Sequence, residues 1–158
     1  MAKVKIITGK RHSGKTTFLL NHIKELRNSN ITVAGIVAIG TFKNDIRNSF
    51  MIKDISTELE KLFMTRTQLP NAEQIGRFYI NNTTYHWGLE ILEKSICSDI
   101  KTIVIDEIGI LELKRKGWHS PLLQALQTDK NIIITIRNKF INDIVQFFNI
   151  DNYEIITL

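Results

Sequence analysis

Val4-Lys5-Ile6-Ile7-Thr8-Gly9-Lys10-Arg11-His12-Ser13-Gly14-Lys15-Thr16-Thr17 contains a short run rich in β-branched residues, a loop bounded by two glycines, and then the first residues of a helix. The run Val4 to Ile7 reads as a buried strand that stops at Gly9. From Lys15 to Leu26 the apolar residues Phe18, Leu19, Ile23 and Leu26 recur at three- and four-residue intervals, which predicts one helix face packed on a sheet. Gly9 to Thr16 fits the pattern G-x-x-x-x-G-K-[ST] and lies between strand and helix, where that pattern functions as a phosphate-binding P-loop. The glycines let the backbone bend and approach a phosphate closely, and the helix start adds its positive end. Lys15 is expected to reach the β- and γ-phosphates and the Thr16 hydroxyl to supply an oxygen to Mg²⁺. The nucleotide-binding set is therefore Gly9, Lys10, Arg11, His12, Ser13, Gly14, Lys15, Thr16 and Thr17, with Thr17 as a candidate α-phosphate contact and Lys10, Arg11 and His12 in variable positions where their side chains either add charge near the phosphates or face solvent.

Outward from this loop the pattern repeats. Thr32 to Ile39 is nearly all apolar, as a strand covered on both faces requires. Between Gly40 and Arg77 the rhythm shifts to short alternating stretches, Ser49 to Ile55, Lys61 to Thr67 and Gln74 to Ile80, which reads as an antiparallel β insertion spanning about residues 40–80. A helix from Asn82 to Ser95, a strand Thr102 to Ile105, a helix from Pro121 to Gln127, a strand Asn131 to Ile136, a helix Phe140 to Phe148 and a strand Tyr153 to Thr157 complete the alternation. The fold class is α/β, a mainly parallel sheet flanked by helices with the β insertion at one edge.

Ile103-Val104-Ile105-Asp106-Glu107 is a hydrophobic strand ending in two carboxylates, at the edge where α/β sheets bind ligands. In this Walker-B-like position Asp106 is the candidate to orient the Mg²⁺ shell through water, and Glu107 to polarise the attacking water as general base. Charge on a transferring phosphoryl group calls for a further cation. Arg137 is the first candidate, because it follows the strand Ile132 to Ile136 at the same sheet edge. Arg47 and Arg77, in the insertion, come second. The candidate catalytic residues are thus Glu107, Lys15 and Arg137, and the candidate metal residues Thr16 and Asp106.

Composition sets the frame. At 158 residues, 43% hydrophobic and 23% charged, the chain has the makings of one globular domain, 1–158, with a single core. The lone cysteine, Cys97, reads as a small buried residue on a helix. His12, His22, His86 and His119 have no zinc-ligand spacing, and Trp87 and Trp118 read as packing residues, with stacking of Trp118 on a base as the other possibility. No apolar run nears the ~18 residues of a membrane helix and no signal-peptide pattern stands at the start, so the expected location is cytoplasmic. The net charge of +5 permits contact with nucleic acid without any recognition motif for it. Lys114-Arg115-Lys116 reads as a solvated loop.

Taken together these residues resemble a family of small nucleoside triphosphatases first described from hyperthermophiles and related to the cancer-related nucleoside triphosphatase. The resemblance extends to Ala34-Gly35-Ile36 with Gly40, to Arg47 through Asp54, to Ile75-Gly76-Arg77-Phe78-Tyr79, and to Asp106-Glu107-Ile108-Gly109 leading into Leu111-Glu112-Leu113. Gly117-Trp118 resembles the bacterial branch. The resemblance implies a RecA-like core, slow Mg²⁺-dependent hydrolysis of ATP, GTP and other nucleoside triphosphates, Glu107 as the catalytic carboxylate, and one strand between the P-loop strand and the Asp106 strand. The chain departs from the family in carrying Lys10-Arg11-His12 where Pro-Gly is common, and Ile110 where close bacterial relatives have proline. Two other functions would use the same residues: a small-molecule or nucleoside kinase, and a nucleotide-dependent nucleic-acid-binding or regulatory module. Base preference and oligomeric state leave no mark on the sequence.

Overall fold

The computed structural model describes residues 1–158 as one nine-stranded mixed sheet with helices on both faces. β1 (Lys3–Gly9), α1 (Lys15–Asn28) and β2 (Val33–Lys43) come first. The insertion follows as β3 (Ile46–Asp54), β4 (Glu60–Thr65), β5 (Gln74–Ile75) and β6 (Phe78–Ile80). The chain then runs through α2 (Asn82–Cys97), β7 (Thr102–Ile108), α3 (Ile110–Leu113), α4 (His119–Leu126), β8 (Asn131–Arg137), a 3-10 turn, α5 (Ile141–Phe147) and β9 (Tyr153–Thr157).

The spatial order is β5-β6-β4-β3-β2-β7-β8-β1-β9. β2, β7, β8, β1 and β9 are mutually parallel, and β3, β4, β6 and β5 extend the β2 edge antiparallel. β8 lies between β1 and β7, so one strand separates the P-loop strand from the Asp106 strand. The parallel register brings the C-terminal ends of β1, β8 and β7 to one edge, with Gly9 opposite Arg137.

Alternation along the strands sends side chains into two cores. Ile6, Ile103, Ile105 and Ile134 point to a large cluster capped by Leu92 of α2, Leu122 of α4 and Ile144 of α5. Ile7, Val104 and Ile133 point the other way, to a smaller cluster closed by Leu19 and Ile23 of α1. This is the doubly covered sheet that the apolar runs require.

Three local readings change. Gln74 to Ile80 is not one strand but a hairpin, β5 and β6, turned at Gly76 with φ +59°. The four-residue α3 is too short to leave a periodicity in the sequence. Cys97 is exposed rather than buried, because the buried stripe of α2 is Thr84, Gly88, Ile91, Leu92 and Ser95, and Cys97 ends the helix off that stripe. No helix is long and apolar enough to cross a membrane.

Candidate active site

The loop after β1 is built to hold an anion. Gly14 takes φ +85° and precedes α1 with no side-chain cap, so the first turn of the helix presents bare amides. Between Arg11 and Thr17 only the Ser13 amide donates within the protein, to the Lys10 carbonyl at 3.1 Å; the amides of Arg11, His12, Gly14, Lys15, Thr16 and Thr17 have no protein acceptor. Six free donors converging with a helix N-terminus form a phosphate nest. A Cβ at Gly9 would stand 2.3 Å from Ser13 Oγ, so the tight start of the loop requires glycine. Lys15 Nζ donates to the carbonyls of Gly9 (3.3 Å) and Lys10 (3.2 Å), which lays the ammonium across the loop.

A cleft of about 240 Å³ opens over this loop, lined by Arg11 through Thr17 together with Arg47, Glu107 and Arg137, and without a single hydrophobic residue. Of the sequence-derived nucleotide-binding set, Gly9 is buried beneath it and Lys10 is exposed outside its lining. Arg77 stands exposed on the β5–β6 turn and takes no part in the cleft. Arg137 does line it, set beside Gly9 by the β1–β8 register.

Arg47 reaches the cleft from the insertion. Its guanidinium lies over the Phe50 ring at 4.6 Å and the Phe42 ring at 5.2 Å, and its buried Nε has no hydrogen-bond partner. A Cβ at Gly40 would come within 2.8 Å of that Nε, so Gly40 makes the room. Burial lowers the Arg47 pKa; Glu107 counters this, and Arg11 and Arg137 lower it further. A desolvated, like-charged and unpaired guanidinium is a waiting partner for an anion.

The carboxylates part company at a bulge. β7 places three steps, Ile105 to Ile108, against two of β8, Ile134 to Ile136, and within this bulge Glu107 adopts φ +61°. A non-glycine residue in that region is strained by about 1 kcal/mol or more, and such bulges redirect side chains next to functional sites. Here the bulge delivers Glu107 into the P-loop cleft.

Asp106 instead points into the protein and is 2% exposed. Its Oδ2 accepts the Ala38 amide at 2.9 Å, and its Oδ1 accepts the Glu107 amide at 3.0 Å and the Thr135 hydroxyl. Thr135 Oγ1 also accepts the Glu107 amide at 2.8 Å. Asp106 and Thr135 therefore brace the strained Glu107 backbone from below. Burial first, and the Glu107 charge second, push the Asp106 pKa up to about 7 against an ordinary 3.8.

The folded protein thus keeps a proton on Asp106 between pH 3.8 and about 7 that the unfolded chain gives up. Unfolding releases that proton, so stability falls as pH rises through this window, by up to about 1.4 kcal/mol per pH unit. Urea denaturation at pH 5, 6 and 7 should show the decline, and Asp106→Asn should flatten it.

Two further residues shape the site without having been read from sequence as functional. Thr135 is the one polar residue within the run Ile132 to Ile136, which was its only signal. Glu112, 2% exposed, accepts the amides of Gly109 (2.8 Å) and Trp118 (2.9 Å) and so fastens the segment after Glu107. Burial raises its pKa, despite those hydrogen bonds. Trp118 is packed against Phe63 at 5.5 Å and Tyr85 at 5.4 Å, which makes it core. Trp87 carries Lys61 over its ring at 4.4 Å. Lys114 to Lys116 form an exposed turn, with Lys116 paired to Glu73 at 3.3 Å.

No group of three or more His, Cys, Asp or Glu side chains is gathered for a metal. A divalent ion at the loop must therefore take most of its ligands from phosphate and water. The Thr16 hydroxyl lines the cleft and fits as its direct protein ligand. Asp106, expected from sequence to orient the metal shell, is 2% exposed, has both oxygens engaged and does not line the cleft, so it is not placed as a direct ligand.

A parallel α/β core with a phosphate nest after its first strand and a carboxylate at the end of a neighbouring strand defines a P-loop nucleotide-binding protein. Residues 5–158 match the family described as NTPase, and the chain belongs to that family. It is 33% identical over 132 residues to the nucleoside-triphosphatase THEP1 of Saccharolobus solfataricus, covering 84% of this chain and 68% of that protein. Among solved structures, that of a human cancer-related nucleoside triphosphatase superposes with a TM-score of 0.77 at 21% identity, covering 99% of this chain and 88% of that one. THEP1 from Aquifex aeolicus gives 0.74 at 23% identity, covering 100% and 90%. These two likenesses establish the fold.

Proposed function

We propose that the protein hydrolyses Mg²⁺-bound nucleoside triphosphates to the diphosphate and inorganic phosphate. The observation that carries this reading is the convergence of six free amides, Lys15 and the bulge-displaced Glu107 on one polar cleft. The nest and Lys15 hold the β- and γ-phosphates. Thr16 would hold Mg²⁺ beside the phosphates, where the ion would supply screening of phosphate charge. Glu107 accepts a proton from the attacking water as its oxygen bonds to the γ-phosphorus, and the β–γ bridge oxygen leaves with the diphosphate. Arg47 and Arg137 neutralise charge that spreads over the γ-oxygens. Asp106 positions Glu107 through the shared amide and Thr135.

The test is inorganic phosphate release from ATP, GTP, CTP and UTP with and without Mg²⁺, beside nucleotide affinity. Lys15→Ala should weaken triphosphate binding about tenfold or more, the scale of one lost charge-assisted contact. Wild type that binds Mg²⁺-nucleotide and releases no phosphate would end the hydrolase reading.

A further inference from the structure

Behind Glu107 lies a second cavity, and hydrolysis does not need it. It measures about 250 Å³ and twelve of its seventeen lining residues are hydrophobic. Phe50, Ile52, Phe63, Met64, Ile75 and Phe78 of the insertion form one wall, facing the segment from Ile108 to Leu111 with Trp118 and Phe140. What it shares with the P-loop cleft is Glu107 and Arg137; none of the P-loop residues lines it. An occupant would therefore meet the nucleotide at the end served by these two side chains, and not at the Thr17 end.

The lining restricts that occupant. A water attacking a phosphate needs room for one molecule, whereas this pocket, open to solvent on one side, offers a mostly apolar lining that suits an apolar body; about 150 Å³ suffices for one benzene ring. This cavity has space for a ring and a short arm. Its charged groups are Glu107, Glu112 and Arg137, and Glu112 already accepts the amides of Gly109 and Trp118. With Glu112 taken up by those two amides, Glu107 and Arg137 oppose each other and leave no net charge to hold an ion, so a neutral body fits. The hydrogen-bonding groups left for it, Glu107 and Arg137, are the two that also line the P-loop cleft, so a hydroxyl held by them would face the phosphate side.

We propose that this cavity is a second-substrate site for a small neutral alcohol with an apolar body, to whose hydroxyl the enzyme transfers the γ-phosphoryl group. The inference rests on the nucleotide site assigned above. In the step, the hydroxyl oxygen bonds to the γ-phosphorus, its proton passes to the Glu107 carboxylate, and the bond from the γ-phosphorus to the β–γ bridge oxygen breaks to release the diphosphate. Water and alcohol compete for the same phosphoryl group.

The probes are 2-phenylethanol and cyclohexylmethanol, each added to enzyme with Mg²⁺-ATP, with ADP and inorganic phosphate quantified and the phosphate ester sought by ³¹P NMR. Saturation-transfer NMR of each alcohol reports binding independently of turnover. The expected result is saturable binding, an ester signal, and ADP exceeding inorganic phosphate by the amount of ester. Ile75→Trp, at a half-buried position in the edge hairpin, fills the cavity and should abolish binding and ester together. Met64→Phe, a smaller filling, should lower both if the first variant folds poorly. Absence of saturable binding for both alcohols overturns the site. Binding with ADP equal to inorganic phosphate overturns the transfer, including the case in which the alcohol only speeds or slows hydrolysis. The alcohol-free arm tests the hydrolase reading separately: no ADP there, with ester formed in the other arm, would remove that reading and leave this one standing.

Discussion

Glu107→Gln should release phosphate about 1,000-fold more slowly than wild type while binding Mg²⁺-nucleotide with little change. Positioned general bases contribute about 100- to 10,000-fold, and about 1,000-fold is the middle of that range; no other carboxylate lines the cleft to take over the role. Gln keeps the size and the backbone environment. The Glu107 amide, shared between Asp106 Oδ1 at 3.0 Å and Thr135 Oγ1 at 2.8 Å, is untouched by the change. The variant therefore separates proton acceptance from folding. Equal turnover in wild type and Glu107→Gln would mean that the strained φ of +61° serves backbone geometry alone.

Arg47→Ala should lower kcat by about 1,000-fold, the lower end of what an arginine supplies to a transferring phosphoryl group. The effect should fall mainly on kcat, since charge on the γ-oxygens is what Arg47 meets and the nest binds the remaining phosphates. Arg47→Lys should not restore the rate, because a point ammonium cannot both lie over the Phe50 ring and present a planar fork. Removing this cation relieves its desolvation and its repulsion from Arg11 and Arg137 but gives up the attraction of Glu107 and the contacts with the Phe42 and Phe50 rings, so stability should change little. Thermal melting of the free variant close to the wild-type temperature, with kcat depressed, is the expected pair of readings. An unchanged kcat would return the role to Arg137, which lines the same cleft but is exposed.

Much of the site could be read in the linear chain because its parts are local. A P-loop is one contiguous strand, turn and helix start, so spacing alone identifies Gly9 to Thr16, and the run Ile103 to Ile105 announces the carboxylates that follow it. The rule that parallel strands end at one edge puts Arg137 beside the loop, and the β1–β8 register sets it opposite Gly9. The arrangement was harder where contacts cross the sheet. Arg47 ranked no higher than Arg77 from sequence, since a charged residue in an alternating strand looks alike whichever way its neighbours fold; Gly40, seven residues earlier, makes the difference by leaving space for its side chain. Cys97 was misjudged because a helix end carries too little periodicity to say which side it faces.

The sequence by itself determined the α/β class, the parallel core, the antiparallel insertion at residues 40–80, and the phosphate loop, because hydrophobic period and glycine spacing act over a few neighbouring residues. Only the tertiary structure decided that Asp106 and Glu107, adjacent in the chain, do different work. An extra residue in β7 against β8 turns one carboxylate into the cleft and leaves the other buried on Thr135 and Ala38. That choice depends on pairing between strands that stand about thirty residues or more apart, where entropy of loop closure must be met before any contact forms, and no local pattern records it.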